Sequence, residues 1–156
     1  MRRRSLLALL IALALSLVAH AEQEAPWTGT WRLDEARSTA RSGPSPYART
    51  TLRIETVGDG LLVAYDMVGT RGGQTHIEWR GALDGRDYPV QGVDSVMTNA
   101  YRLLDERSYE IVVKLDGRPM ATTRVSVSPD GATLTAVTVE RGEGRVLTTT
   151  AVYARQ

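Results

Sequence analysis

Tyr109-Glu110-Ile111-Val112-Val113-Lys114-Leu115 alternates in chemistry with a period of two, placing Tyr109, Ile111, Val113 and Leu115 on one face. Successive side chains of a β-strand point to opposite sides of the sheet, so this stretch predicts a strand with one face in a core. His76-Ile77-Glu78-Trp79-Arg80 repeats the pattern, with Ile77 and Trp79 inward and His76, Glu78 and Arg80 outward. In Leu61 to Val68 the stronger apolar face is Leu61, Val63, Tyr65 and Met67.

Turn pairs separate these runs: Asp59-Gly60, Gly72-Gly73, Asp84-Gly85, Asp116-Gly117 and Asp130-Gly131, with Gly142-Glu143-Gly144 near the end and Asp105-Glu106 as a further turn. Asp-Gly and Gly-Gly supply the positive φ of tight hairpins. About ten strands follow from matching the chain to the period-two template, starting near Thr30, Thr50, Leu61, Thr75, Arg86, Ser95, Arg107, Pro119, Ala132 and Arg145. No window keeps a helical period over three turns, although Asp34 to Arg41 has room for one turn of helix. Ser42-Gly43-Pro44-Ser45-Pro46 reads as a loop, because proline does not fit a central strand. The expectation is an all-β, antiparallel up-and-down arrangement in one domain. A barrel closes its own edges and a sandwich buries the same alternate residues, so periodicity leaves both open.

The chain opens with Arg2-Arg3-Arg4, an apolar run from Leu6 to Val18, and Ala19-His20-Ala21. A basic start, a short apolar segment and a small-x-small exit predict a secretory signal peptide over residues 1–21, leaving 22–156 as the working domain. Arg3-Arg4-Ser5-Leu6-Leu7 partly resembles a twin-arginine signal, and an ordinary basic leader fits as well. The expected location is the periplasm or the exterior. No membrane span is expected, since the apolar run falls short of the roughly 20 residues a bilayer requires. A lipid anchor is not expected either, for want of a cysteine near the cleavage site.

Composition narrows the chemistry. The chain has no cysteine, which removes thiol catalysis, disulfides and thiolate metal sites. Nineteen basic residues less the three of the leader leave sixteen against eighteen acidic ones, a net −2 without any basic block. Nucleic acid has no electrostatic footprint in such a sequence. Phenylalanine is absent, so three Trp and six Tyr supply every aromatic ring, each with a polar handle suited to a cavity wall or a ring edge.

Gly29-Thr30-Trp31-Arg32-Leu33 at the start and Ala151-Val152-Tyr153-Ala154-Arg155-Gln156 at the end together resemble the calycin superfamily of lipocalins and fatty-acid-binding proteins. The remaining motifs resemble small secreted bacterial lipocalin-like proteins: Asp34 with Arg37-Ser38, Asp84-Gly85-Arg86-Asp87-Tyr88-Pro89-Val90 with Gly92, and Ser128-Pro129-Asp130-Gly131 with Thr133-Leu134-Thr135. The resemblance implies a β-barrel in which Trp31 and Arg155 close one end by cation–π contact. It also departs from the family. Many fatty-acid-binding proteins carry a ligand-clamping Arg two residues before the closing Tyr, where this chain has Ala151. Arg102 and Arg124 are alternative clamps if their strands point them inward.

No catalytic constellation emerges. His76, the histidine that remains after cleavage, lies on the outward face of its strand and lacks partners for a metal site. Asp84 reads as a turn residue and Asp87 as part of the adjoining strand, while Asp59, Asp116 and Asp130 are accounted for by turns. Phosphate loops and nucleophile elbows are missing. Tyr65, Met67, Trp79, Asn99, Tyr101, Tyr109 and Tyr153 are the candidate cavity lining, with packing of a filled barrel as their other role. The expected function is non-covalent binding of a small hydrophobic molecule, with no cofactor and no metal. A filled barrel acting as a protein-interaction or inhibitor module is the alternative, and an enzyme comes third.

Overall fold

A computed structural model describes residues 24–39, 47–142 and 144–156. The leader and the Ser42–Pro46 loop lie outside the described residues.

Ten strands form one closed antiparallel barrel: β1 (Gly29–Leu33), β2 (Tyr47–Val57), β3 (Gly60–Gly69), β4 (Gln74–Gly81), β5 (Asp84–Gln91), β6 (Met97–Asp105), β7 (Ser108–Leu115), β8 (Arg118–Val127), β9 (Thr133–Gly142) and β10 (Arg145–Arg155). Each strand pairs with its chain neighbour, and β1 closes the ring by pairing with both β2 and β10. Closure decides between barrel and sandwich by leaving no unpaired edge. Strand starts fall within three residues of those read from the sequence.

Local chemistry explains most of the turns. Asp116 and Gly117 both have positive φ, 49° and 75°, as a two-residue hairpin requires. Asp130 accepts from the Ala132 amide, while Gly131 takes φ 71°. Two turn assignments need correction. Asp84-Gly85 lies inside β5, at an irregularity in its pairing with β6, so it bends a strand instead of ending one. At the β2–β3 hairpin the turn is Gly58-Asp59, and Gly58 carries the positive φ. Gly60 is needed for space: a Cβ there would stand 2.5 Å from the Gly81 carbonyl oxygen.

Two seams differ from the rest. Only Glu78–Gln91 and Trp79–Val90 are in register between β4 and β5. Above the short β1, a 3₁₀ turn at Glu35–Arg37, capped by Asp34, continues the closure. Asp34 N–H donates to the Val152 carbonyl, Val152 N–H donates to Ser38 Oγ, and Thr39 N–H donates to the Thr150 carbonyl. The expected turn of helix therefore exists, and it serves to cover the upper part of β10.

The barrel has two unlike ends. The base carries the β2–β3, β4–β5, β6–β7 and β8–β9 turns, and the mouth carries the others. The fully buried core lies toward the base, in Trp31, Leu52, Ile54, Val63, Trp79, Tyr101, Tyr109, Leu134 and their neighbours.

Candidate ligand cavity of the barrel

The base is sealed by aromatic rings and one arginine. Trp31 is fully buried, and its indole N–H donates to the Trp27 carbonyl at 2.8 Å. The Arg155 guanidinium carbon lies 4.1 Å from the centre of the Trp31 ring. The same guanidinium donates to the carbonyls of Gly131, Thr28 and Pro26 at 2.6–2.8 Å. One cation thus fastens the β8–β9 turn and the segment before β1 to the end of β10, with the indole face beneath it. Gly29 leaves room for this arrangement, because a Cβ there would meet the guanidinium at 2.7 Å.

Above that seal runs a slab of rings. Trp79 and Tyr101 stack with centroids 3.7 Å apart and planes 10° from parallel. Tyr101 stacks in turn on Tyr109 at 5.4 Å, and Trp27 meets Tyr109 edge-on at 5.2 Å. Tyr88 packs edge-on against Trp79, and the Trp79 indole N–H donates to the Asn99 carbonyl at 3.2 Å. The pairing Trp79–Val90 belongs to the narrow β4–β5 seam, so these rings fill the barrel where its hydrogen-bonded wall is thinnest.

By register Tyr65, Tyr101, Tyr109 and Tyr153 all face the barrel interior. Burial raises the pKa of all four, with Tyr65 pushed up to about 12. Tyr65 raises each of the other three further, as does Tyr109 for Tyr101 and Tyr153 for Tyr109, because one phenolate would repel the next. The group therefore stays protonated at neutral pH and offers O–H donors. The Tyr101 phenol lies beside Asn99. Among the described residues, the Asn99 Oδ1, Trp27 Nε1 and Thr28 Oγ1 atoms are buried without a hydrogen-bond partner.

Toward the mouth the inward positions change character. By register they include Met67, Asn99, Val113, Ala121, Ala136 and Ala151, all only half-buried. Thr123 and Thr138 also face inward and share a hydrogen bond at 2.8 Å. Glu140, opposite Ala121 on one side and Leu147 on the other, faces inward near the rim. Small residues on several adjoining strands make the inward positions of the upper barrel less buried than those of the ring-packed base.

The structure thus divides the sequence-derived lining. Trp79, Tyr101, Tyr109 and Tyr153 are buried, whereas Tyr65, Met67 and Asn99 are half-buried. Arg102 and Arg124 are not clamps. Both point outward, Arg102 toward Glu110 at 2.8 Å and Arg124 toward Asp105 at 3.8 Å. Sequence reading passed over Trp27 and the Thr123–Thr138 pair. Extending the Val127–Val125 alternation by one step would have found Thr123, but Trp27 precedes the first strand and no periodicity marks it.

The outer wall has its own depression, of about 510 Å³, bordered by Thr30, Arg32, Thr51, Asp66 and His76. His76 Nδ1 is 2.7 Å from an Asp66 oxygen, which raises the imidazole pKa, with Glu78 adding to the effect. His76 is exposed there, as its outward position in β4 predicts. Asp84 and Asp87 are both in β5 and have separate partners: Arg86 and Tyr88 donate to Asp84, and Lys114 donates to Asp87. Among the described residues no group of His and carboxylates is arranged to hold a metal ion, and no helix is long and apolar enough to cross a membrane.

The fold and its interior define a ten-stranded antiparallel barrel with a ring-packed base and half-buried inward positions toward the mouth. No protein-family model matches the chain, and no curated protein sequence does either.

Proposed function

We propose that this protein is an exported, calycin-like carrier that holds a small, largely apolar molecule in the upper half of its barrel without chemical change. The observation that supports it is the contrast along the inward faces: complete burial at the base gives way to half-exposed Met, Val, Ala and Thr toward the mouth. A concave site with apolar walls and a few polar groups suits small-molecule binding. Burial of apolar surface would supply affinity, and the phenols at the cavity floor would set orientation. The leader-like residues 1–21 support a place in the cell envelope, and the Trp31–Arg155 contact supports the calycin resemblance.

Native mass spectrometry on protein taken gently from its own cell envelope tests the proposal. The expected result is a reproducible small excess mass that disappears on denaturation and is identified after extraction. A bare mass, together with no change in tryptophan fluorescence on titration with apolar probes, would overturn it. An excess mass of protein size would favour an interaction module, for which exposed Leu103 and Leu104 near the base would be the first surface to mutate.

A further inference from the structure

At its base the barrel carries a groove of about 700 Å³, distinct from the inward faces described above. It is bordered by residues 24–27 ahead of β1, by the β4–β5, β6–β7 and β8–β9 turns, and by Arg155 of β10. Pro26, Trp27, Leu83, Leu103 and Pro129 form its apolar wall. Trp27 is almost wholly buried, whereas Leu103 leaves 51% of its surface in water and the adjoining Leu104 leaves 38%. Large apolar side chains left in water beside a concavity mark a surface suited to a partner.

Hydrogen bonds to backbone fix the walls of this groove. Arg155 gathers the carbonyls of Pro26, Thr28 and Gly131, and Arg107 donates to the Ser128 carbonyl at 2.7 Å. Both arginines border the groove, and both direct N–H groups into its frame. A surface fixed in advance costs a partner little ordering on binding.

Charge narrows the choice of partner. The groove carries three carboxylates, Glu24, Glu106 and Asp130. Asp130 is engaged inside its own turn, where it accepts from Ser128 Oγ and the Ala132 amide. Glu24 and Glu106 stand exposed, one on the segment before β1 and the other on the β6–β7 turn. These groups repel an anionic bilayer. A second copy docked about a two-fold axis would set the same carboxylates against themselves. A cationic segment with apolar side chains meets opposite charge at the edges and hydrocarbon between them.

We propose that the groove at the base docks a peptide segment of a second protein, one whose apolar side chains are flanked by Lys or Arg. The apolar side chains lie against Trp27, Leu83 and Leu103, and the cations face Glu24 and Glu106. This docking goes beyond the carrier proposal and does not depend on what the barrel holds.

The test titrates protein taken from its own cell envelope with capped heptapeptides sharing four leucines. One is Lys-Leu-Leu-Lys-Leu-Leu-Lys, and the others carry serine or glutamate in place of lysine. Calorimetry gives the affinities, and amide NMR locates the site. The lysine peptide is expected to bind about tenfold more tightly than the serine peptide, the effect of two exposed ion pairs, and to lose that lead in high salt. Shifts should gather at residues 24–27, 83, 103–107 and 129–131. Glu24→Gln combined with Glu106→Gln should remove the lysine lead and leave the serine peptide unchanged. Leu103→Ser should weaken both peptides about fivefold. Melting curves confirm that each variant is folded. A glutamate peptide binding as tightly as the lysine peptide would overturn the proposal, as would a lysine lead that survives the double variant or shifts confined to the mouth. Absence of binding by every peptide would also overturn it, and dimerisation through the groove would make a second copy its occupant instead. None of these results decides the carrier proposal, which concerns the barrel interior.

Discussion

The two halves of the barrel share one wall and one alternation, yet the inward side chains of one half are fully buried and those of the other are mostly half-buried. On β7 and β8, Tyr109, Ile111, Val125 and Val127 are buried, while Val113 and Ala121 on the same two faces are half-exposed. The strands are continuous through both levels, so backbone geometry is not the cause. Side-chain volume is. A ten-strand ring is wider than the eight-strand barrel that ordinary side chains just fill. The base compensates with three tryptophans and several tyrosines, of which Tyr101 stacks on Trp79 and Tyr109 on Tyr101. Toward the mouth, Ala, Val and Thr occupy the equivalent positions. Stability is therefore concentrated at one end, and the other end is free to vary its contents.

This contrast is broken most severely at Trp31. Trp31→Ala should cost about 3–5 kcal/mol, the usual range for removing a large buried aromatic, and denaturant unfolding measures it. The change removes the platform under Arg155 and the donor to the Trp27 carbonyl, so the base should loosen beyond the cavity itself. A loss under about 1 kcal/mol would show that the base is not the stabilising half.

One deletion made at two levels gives the sharper comparison. Val125→Ala removes two methyl groups from a buried base position, and Val113→Ala removes them from a half-buried position toward the mouth. The first should cost about 2 kcal/mol and the second less than about 1 kcal/mol, because solvent already reaches the upper site. Equal losses would mean that the mouth is packed as tightly as the base.

The smallest effect belongs to the outer wall. His76 should titrate above its ordinary 6.5 by NMR, and Asp66→Asn should bring the midpoint back down. A raised folded-state pKa means that the protonated pair adds stability below 6.5 and loses it as pH rises through the raised midpoint. The surface exposure of both groups keeps that contribution small. Occupation of the cavity should leave the His76 midpoint unmoved. A shift on binding would place the ligand on the outer wall instead of inside.

The sequence by itself determined the strands. Alternation in Tyr109–Leu115 and Leu61–Val68, with glycine at the turns, set their number, their inward faces and most of their limits, because hairpins are local and a period of two assigns each residue to a face. It failed where a local signal has two uses. Asp84-Gly85 reads as a turn and forms a bulge, and Gly60 reads as a turn glycine and serves close packing against Gly81.

Only the tertiary structure decided the closure of β1 against β10, the three carbonyls gathered by Arg155, and the stacking of Trp79, Tyr101 and Tyr109 from β4, β6 and β7. It also decided that Arg102 and Arg124 face outward. These facts depend on long-range register. Alternation says that Tyr65 and Tyr153 point inward. Which level of the barrel each reaches, and what stands beside it, follows only once distant strands are paired.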